Sequence, residues 1–410
     1  MNTAFPFCPA EILLPELSRI DGTRWSTVAC DQFTSQPEYW EQVRALVGDA
    51  PSTLSLMLPE IFLPESDERI PAIHSAMRTA LAEWLVPYPD AMILLERTQS
   101  DGRIRRGIVG AIDLEAYDYR AGSVSPVRAT EGTVLERIPP RVKIRRGAPL
   151  EMPHVMLLID DPAKTVIEPL LPDCASLPLL YDFDLMQGGG HVRGYLLGKD
   201  RQTQVLRALS ALRDGQGTEN PLLFAVGDGN HSLASAKAAY EEIKAALGTE
   251  RALAHPARYA LAEVVNLHDT ALEFEPIYRV VFGVDPAAFS AEFRAFAAAQ
   301  DGNAAPQAFR LATDSGEETV TVAHPRYQLP VATLQRFLDS RSGLSVDYIH
   351  GEDALRMLAS RPGAVGFLFR GMEKADLFPS VRADGALPRK TFSMGHAEDK
   401  RYYLECRKIL

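Results

Sequence analysis

Residues 221–226 (Pro-Leu-Leu-Phe-Ala-Val) are an apolar run with no alternation, and Gly227-Asp228-Gly229-Asn230-His231-Ser232 follows at once. Beyond this turn Leu233, Ala236, Tyr240, Ile243 and Leu247 recur at spacings of 3, 4, 3 and 4 residues, one stripe of a helix. A strand without alternation is buried on both faces. The pattern therefore predicts a strand inside a sheet, a glycine turn, and a helix over 232–247. That helix packs on the sheet through Leu233, Tyr240 and Ile243. Other parts of the chain must then supply neighbouring strands.

They are legible. Strands are expected at 91–96, 104–114, 155–160, 259–266, 277–282, 308–312, 318–323 and 364–369. Asp101-Gly102 marks a hairpin between the first two. Helices are expected at 38–47, 70–85, 205–212, 286–299 and 353–359, the second stopping before Pro87. No repeat, long linker or low-complexity tract interrupts them. Strands and helices mix throughout, which predicts an α/β or α+β fold of mixed sheets with packed helices. The 410 residues allow an N-terminal region over 1–150 and a C-terminal region over 151–410, or one integrated unit.

Lys and Arg total 43 against 54 for Asp and Glu, a net charge of −11. Such a balance disfavours nucleic acid as a partner, because affinity there comes mostly from neutralised phosphates. No apolar stretch reaches the roughly 20 residues of a membrane helix. The N-terminus lacks the basic segment and apolar run of a signal peptide, so a cytoplasmic protein is expected, with no membrane partner. The four cysteines make no CxxC pair, and GxSxG, HExxH, Walker A and dinucleotide signatures are absent. The number of subunits is left open.

Four segments carry chemistry. In the 227–232 turn, Gly227 and Gly229 allow close approach of a ligand to the backbone. The first helix amides, from Asn230 to Ser232, favour an anion. Asp228 is a metal ligand or proton acceptor, and His231 a phosphate donor or acid–base group. The bland alternative is a turn capped by Asn230. The second segment, Arg128-Ala129-Thr130-Glu131-Gly132-Thr133, precedes Arg137, Arg141, Lys143, Arg145 and Arg146. Arg128, Thr130, Thr133 and Arg137 are candidate phosphate contacts, and Glu131 a candidate magnesium ligand and catalytic carboxylate. Residues 141–146 read better as a salt-bridged face. The third segment, Pro388 to His396, offers Arg389, Lys390, Thr391 and Ser393 as an anion loop. The fourth, Gln187 to Gly194, holds three adjacent glycines and His191 and reads as a mobile loop or lid, or equally as a flexible loop without function.

Together these residues resemble the bacterial and archaeal family of domain of unknown function 1015. The quoted matches are Asp228-Gly229-Asn230-His231-Ser232, Tyr348-Ile349-His350, Leu387-Pro388-Arg389-Lys390-Thr391 and the 128–133 segment. More distantly, the turn is similar to that of the ParB/sulfiredoxin-like superfamily, which includes nucleotide-dependent serine kinases. The resemblance implies a core of that type, with phosphate handled at a strand–turn–helix junction. Where the family has His and Arg, this chain has Asn230 and Ser232, so two phosphate donors are missing from the turn. The expectation is an enzyme that moves phosphate between a nucleotide, or another donor, and a small serine-like metabolite, with magnesium. A phosphatase on the same site and a non-catalytic nucleotide sensor are the rivals.

Overall fold

The strand expected at 221–226 forms as Phe224–Asp228, displaced toward the turn. Its start is set by Pro126, whose carbonyl accepts from both the Leu223 and Phe224 amides at 2.9 and 3.0 Å. This diverts Pro221–Leu223 from the ladder. The computed structural model describes residues 5–120, 122–152, 155–217, 220–395 and 399–410. Leu222 to Val226 are buried, as a strand covered on both faces must be.

The chain divides into two compact units. The first holds residues 1–129, 133–272 and 395–410, and so takes in both sides of position 150. Its sheet runs, in spatial order, Leu179–Asp184, His191–Leu196, Ile93–Thr98, Ile104–Asp113, Tyr259–Asn266, Val155–Ile159, Phe224–Asp228, Val127–Ala129 and Tyr117–Asp118. Phe7–Cys8 adds to Ile104–Asp113. Pairing is mixed. Phe224–Asp228 runs antiparallel to Val155–Ile159 and parallel to Val127–Ala129. The Asp101-Gly102 hairpin forms, with Gly102 at φ +83.

The helix spans Asn230–Leu247. Leu233, Ala236 and Tyr240 pack into the same core as Val155, Leu157, Phe224 and Val226. The expected stripe is too long, however. Ile243 is half-buried and Leu247 is exposed. Past Tyr240 the helix meets a short polar turn, Leu114–Ala116, instead of the sheet. There Glu115 accepts from Tyr240 Oη at 2.7 Å and from Lys244 Nζ at 2.6 Å.

Two other expectations are corrected. The helix placed at 70–85 runs Ser66–Thr79 and widens into the turn Ala80–Trp84. Pro87 lies in the strand Leu85–Ala91, in a two-stranded pair with Ala10–Pro15. The glycine-rich segment is also no lid. His191–Leu196 is hydrogen-bonded on both sides, to Leu179–Asp184 and Ile93–Thr98. Two of its glycines answer crowding: a Cβ on Gly190 would lie 2.0 Å from the Thr98 carbonyl, and one on Gly194 2.1 Å from the Tyr181 ring.

The second unit holds residues 130–132 and 273–394. Its antiparallel sheet runs Gly316–Val322, Gln307–Thr313, Ala364–Phe369, Phe274–Phe282, Ser345–His350, with Phe392–Met394 pairing the start of Phe274–Phe282. Helices Pro286–Ala298 and Pro330–Asp339 cover it through an aromatic cluster. Phe293 sits at its centre, 4.9 Å from Phe337 and 5.2 Å from Phe309 and Phe367. Among the described residues, no helix is long and apolar enough to cross a membrane.

Candidate functional site

The 227–232 turn is built around Gly229, which takes φ +89 and ψ +25 and precedes the first helical residue. A left-handed residue at this point suits only glycine. A Cβ here would also lie 3.0 Å from an Arg401 amino nitrogen. Asn230 is therefore not the cap. It is the first residue of the helix, and its Nδ2 donates to the Val226 carbonyl at 3.4 Å. Gly229 has no side chain to cap with, and the N-cap position makes no side-chain hydrogen bond. Such an end draws anions by its amides and by the helix dipole.

Asp228 ends the strand, just before this turn. One carboxylate oxygen accepts from the Gly229 amide at 2.8 Å, and the other from Arg401 Nε at 3.0 Å. Arg401 also donates to both Asp31 oxygens, at 3.2 and 3.0 Å. The Arg401 side chain is 1% exposed. Burial alone would raise the Asp228 pKa, but Arg401 and Lys400 outweigh it and hold the carboxyl below its ordinary range. Burial likewise opposes charge on Arg401, and Asp228 and Asp31 outweigh it, raising its pKa. Both groups are ionised at neutral pH. The Asp31 neighbour, Cys30, accepts from Tyr403 Oη at 3.2 Å, and burial pushes its thiol up to about 12.

Beside the turn lies a cavity of about 110 Å³. Ser232 and Ser235 line it from the helix, with Cys30 and Tyr403 opposite and Met57, Met77 and Met152 among its apolar walls. Its cations are already paired, Arg141 with Glu60, and Arg145 with Glu151 at 2.6 Å. Lys143 pairs with Asp67, and Arg146 with Glu242 at 2.6 Å. The salt-bridged reading of 141–146 thus describes these residues. Helix Ile138–Arg145 packs on the turn's helix through Ile138, Val142 and Ala234.

His231 lies at the start of the helix. Its Nε2 accepts from the Val134 amide at 3.4 Å, which assigns a neutral ring with the proton on Nδ1. Arg128 is buried and donates to the Ser125 and Pro221 carbonyls at 2.7 and 2.9 Å and to Asn220, so it fastens strand ends. Thr133 has a buried hydroxyl with no partner, and Arg137 is exposed.

The other expected residues belong to the second unit. Thr130 and Gly132 bracket Glu131 and pair with Leu387: its amide donates to Thr130 O at 2.7 Å, and its carbonyl accepts from Gly132 N at 3.3 Å. Arg389 and Lys390 are exposed, Thr391 is buried and Ser393 half-buried. His396 lies outside the described residues. No group of three or more His, Cys, Asp or Glu able to hold a metal occurs among the described residues. Asp228 is committed to Arg401, and Glu131 sits in the other unit, so the two do not form a magnesium site within either unit.

Sequence reasoning missed Asp31, Arg401, Cys30 and Tyr403. Arg401 meets Asp228 across 173 positions, and no local pattern signals such a pair.

Solved structures similar to this chain include three with loose alignments. One is a free serine kinase in complex with AMP, at 10% identity, covering 72% of this chain and 90% of that chain, with a TM-score of 0.38. Another is SbnI with C-terminal truncation from Staphylococcus aureus, at 11% identity, 73% and 82% coverage, and a TM-score of 0.33. A third is a conserved hypothetical protein from Pyrococcus furiosus, at 11% identity, 72% and 94% coverage, and a TM-score of 0.34. No curated protein matches. The family described as "Protein of unknown function (DUF1015)" matches residues 16–341, most of the chain, and this chain belongs to it.

Proposed function

We propose that this chain is an enzyme that moves a phosphoryl group to or from a small, serine-like metabolite. The observation that carries this reading is the start of helix Asn230–Leu247, led by a left-handed glycine in the N-cap position at the end of a buried strand. Phosphoryl transfer asks little covalent chemistry of the protein, and rests on position and charge. The phosphate of a nucleotide, or of another donor, lies against the first-turn amides. His231 Nδ1–H donates to a phosphate oxygen, and the acceptor's hydroxyl proton passes to the transferred phosphoryl group or to water as the new O–P bond forms and the bond to the leaving group breaks. Ser232 adds a hydroxyl, and the cavity behind it takes the small acceptor. Asp228 positions: its ion pair with Arg401 holds the turn in shape. Among the described residues no group of three or more His, Cys, Asp or Glu could hold magnesium, so no step is assigned to that ion.

The test is an assay of phosphate transfer and release from nucleoside triphosphates across a panel of small hydroxylated amino acids, with and without magnesium. Transfer to an acceptor supports the proposal. Release to water alone indicates the phosphatase, and binding without turnover indicates the sensor.

A further inference from the structure

We propose that the second unit carries its own anion site on the Arg389–Lys390 turn, suited to a phosphate dianion or phosphate monoester. It stands independently of the Asp228 turn. Tyr348 lies within reach of two cations, with Arg279 Cζ and Lys390 Nζ each 4.8 Å from its ring centroid. Arg279 is fully buried, opposite Tyr348 on one neighbouring strand and Phe367 on the other. It donates to the Ile277 carbonyl and, at 3.1 Å, to the Arg389 carbonyl, while its buried Nε has no partner.

Among the described residues, no carboxylate lies within ion-pair distance of Arg279, Arg389 or Lys390. On the same strand, Glu275 is turned to His350 at 3.6 Å. Burial lowers the Arg279 pKa to about 10, which leaves it charged at neutral pH.

A buried guanidinium without a carboxylate is costly, and its bonds show what it holds. It fixes the Arg389 carbonyl, and so the turn. Thr391 Oγ1 donates to the Pro388 carbonyl at 2.6 Å and closes that turn. Within it Lys390 takes φ +54, a left-handed conformation that a non-glycine residue adopts only when its surroundings enforce it. The result is two exposed cations, adjacent in sequence, on a turn whose backbone a third, buried cation fixes, with no carboxylate in ion-pair distance of the three among the described residues. An arginine fork and a lysine point charge suit a phosphate with two negative charges.

The test reads Lys390 directly in the full chain. The chain is acetylated with an amine-reactive ester, and the Lys390 peptide is followed by mass spectrometry in inorganic phosphate or in chloride at equal ionic strength. Phosphate should slow labelling of Lys390 and chloride should not. Arg389→Ala should raise the phosphate concentration needed by roughly tenfold. Arg279→Met should do the same; if that variant does not fold, the surface variant Arg389→Ala carries the test. Equal labelling in phosphate and chloride, or full protection in Arg389→Ala, would overturn the site.

Discussion

The carboxylate of Asp228 is the side chain on which the turn depends, and its ionisation gives a stability prediction with a definite sign. Its folded pKa lies below the ordinary value. Its contribution is therefore fully present above the unfolded carboxylate value of about 3.9, and is lost as the pH falls through the lower folded value. Asp228→Asn should cost about 3 kcal/mol at pH 7, because the buried Arg401 loses the carboxylate that its Nε donates to. Urea unfolding at pH 7 and pH 3 checks this: the gap between variant and parent should shrink at the lower pH. His231 behaves differently. His231→Ala should lower transfer by roughly 100-fold or more. The melting temperature should stay near that of the parent, since the helix is led by Gly229 and not capped by the imidazole. A normal rate with a lowered melting temperature would make His231 structural. Cys30 and Cys8 supply a third check. Burial pushes their thiols up to about 12 and about 11, so both stay protonated at pH 8. Iodoacetamide should alkylate them slowly in the folded protein and quickly in urea, and fast labelling of native Cys30 would contradict its burial beside the cavity.

At the scale of elements, hydrophobic period and glycine position carried most of the information. The strand Tyr259–Asn266 sits where its apolar run placed it, and the 93–113 hairpin turns at Asp101-Gly102. Boundaries moved where a distant partner intervened, as at Pro126, which shifts the central strand, and at Glu115, which ends the apolar stripe of the following helix. The glycine-rich 187–194 segment was misread for a physical reason. Three glycines signal either freedom or crowding, and only the neighbours decide between them. Here Tyr402 and Thr98 fill the space that side chains would need at Gly189 and Gly190, while Gly188 is open. Gly190→Ala should therefore destabilise the fold by about 2 kcal/mol or more, as a residue at φ +77 with no room for a Cβ. Chemical denaturation measures it. A lid would tolerate the change, so an unaltered midpoint would restore that reading.

For the whole molecule, the mixed α/β class and the family were legible from mixed periodicity and from a few short segments. The division of the chain was not. Residues 130–132 leave the first unit for three positions to pair with Leu387, and 395–410 return to it after the second unit is complete. Excursions of this kind have no compositional mark. They also separate the expected site residues: Asp228, His231 and Ser232 belong to the first unit, while Glu131, Arg389 and Lys390 belong to the second. The first-unit site drew only part of itself from the turn that the sequence displays, because Arg401, Asp31 and Cys30 come from far along the chain. The role proposed for this turn is to hold phosphate. A crystal structure of the full chain with a non-hydrolysable nucleoside triphosphate tests it most directly. A phosphate oxygen should lie within about 3 Å of the His231 or Ser232 amide, at the start of helix Asn230–Leu247. A nucleotide bound elsewhere, with the turn at Gly229 left without a phosphate, would contradict it.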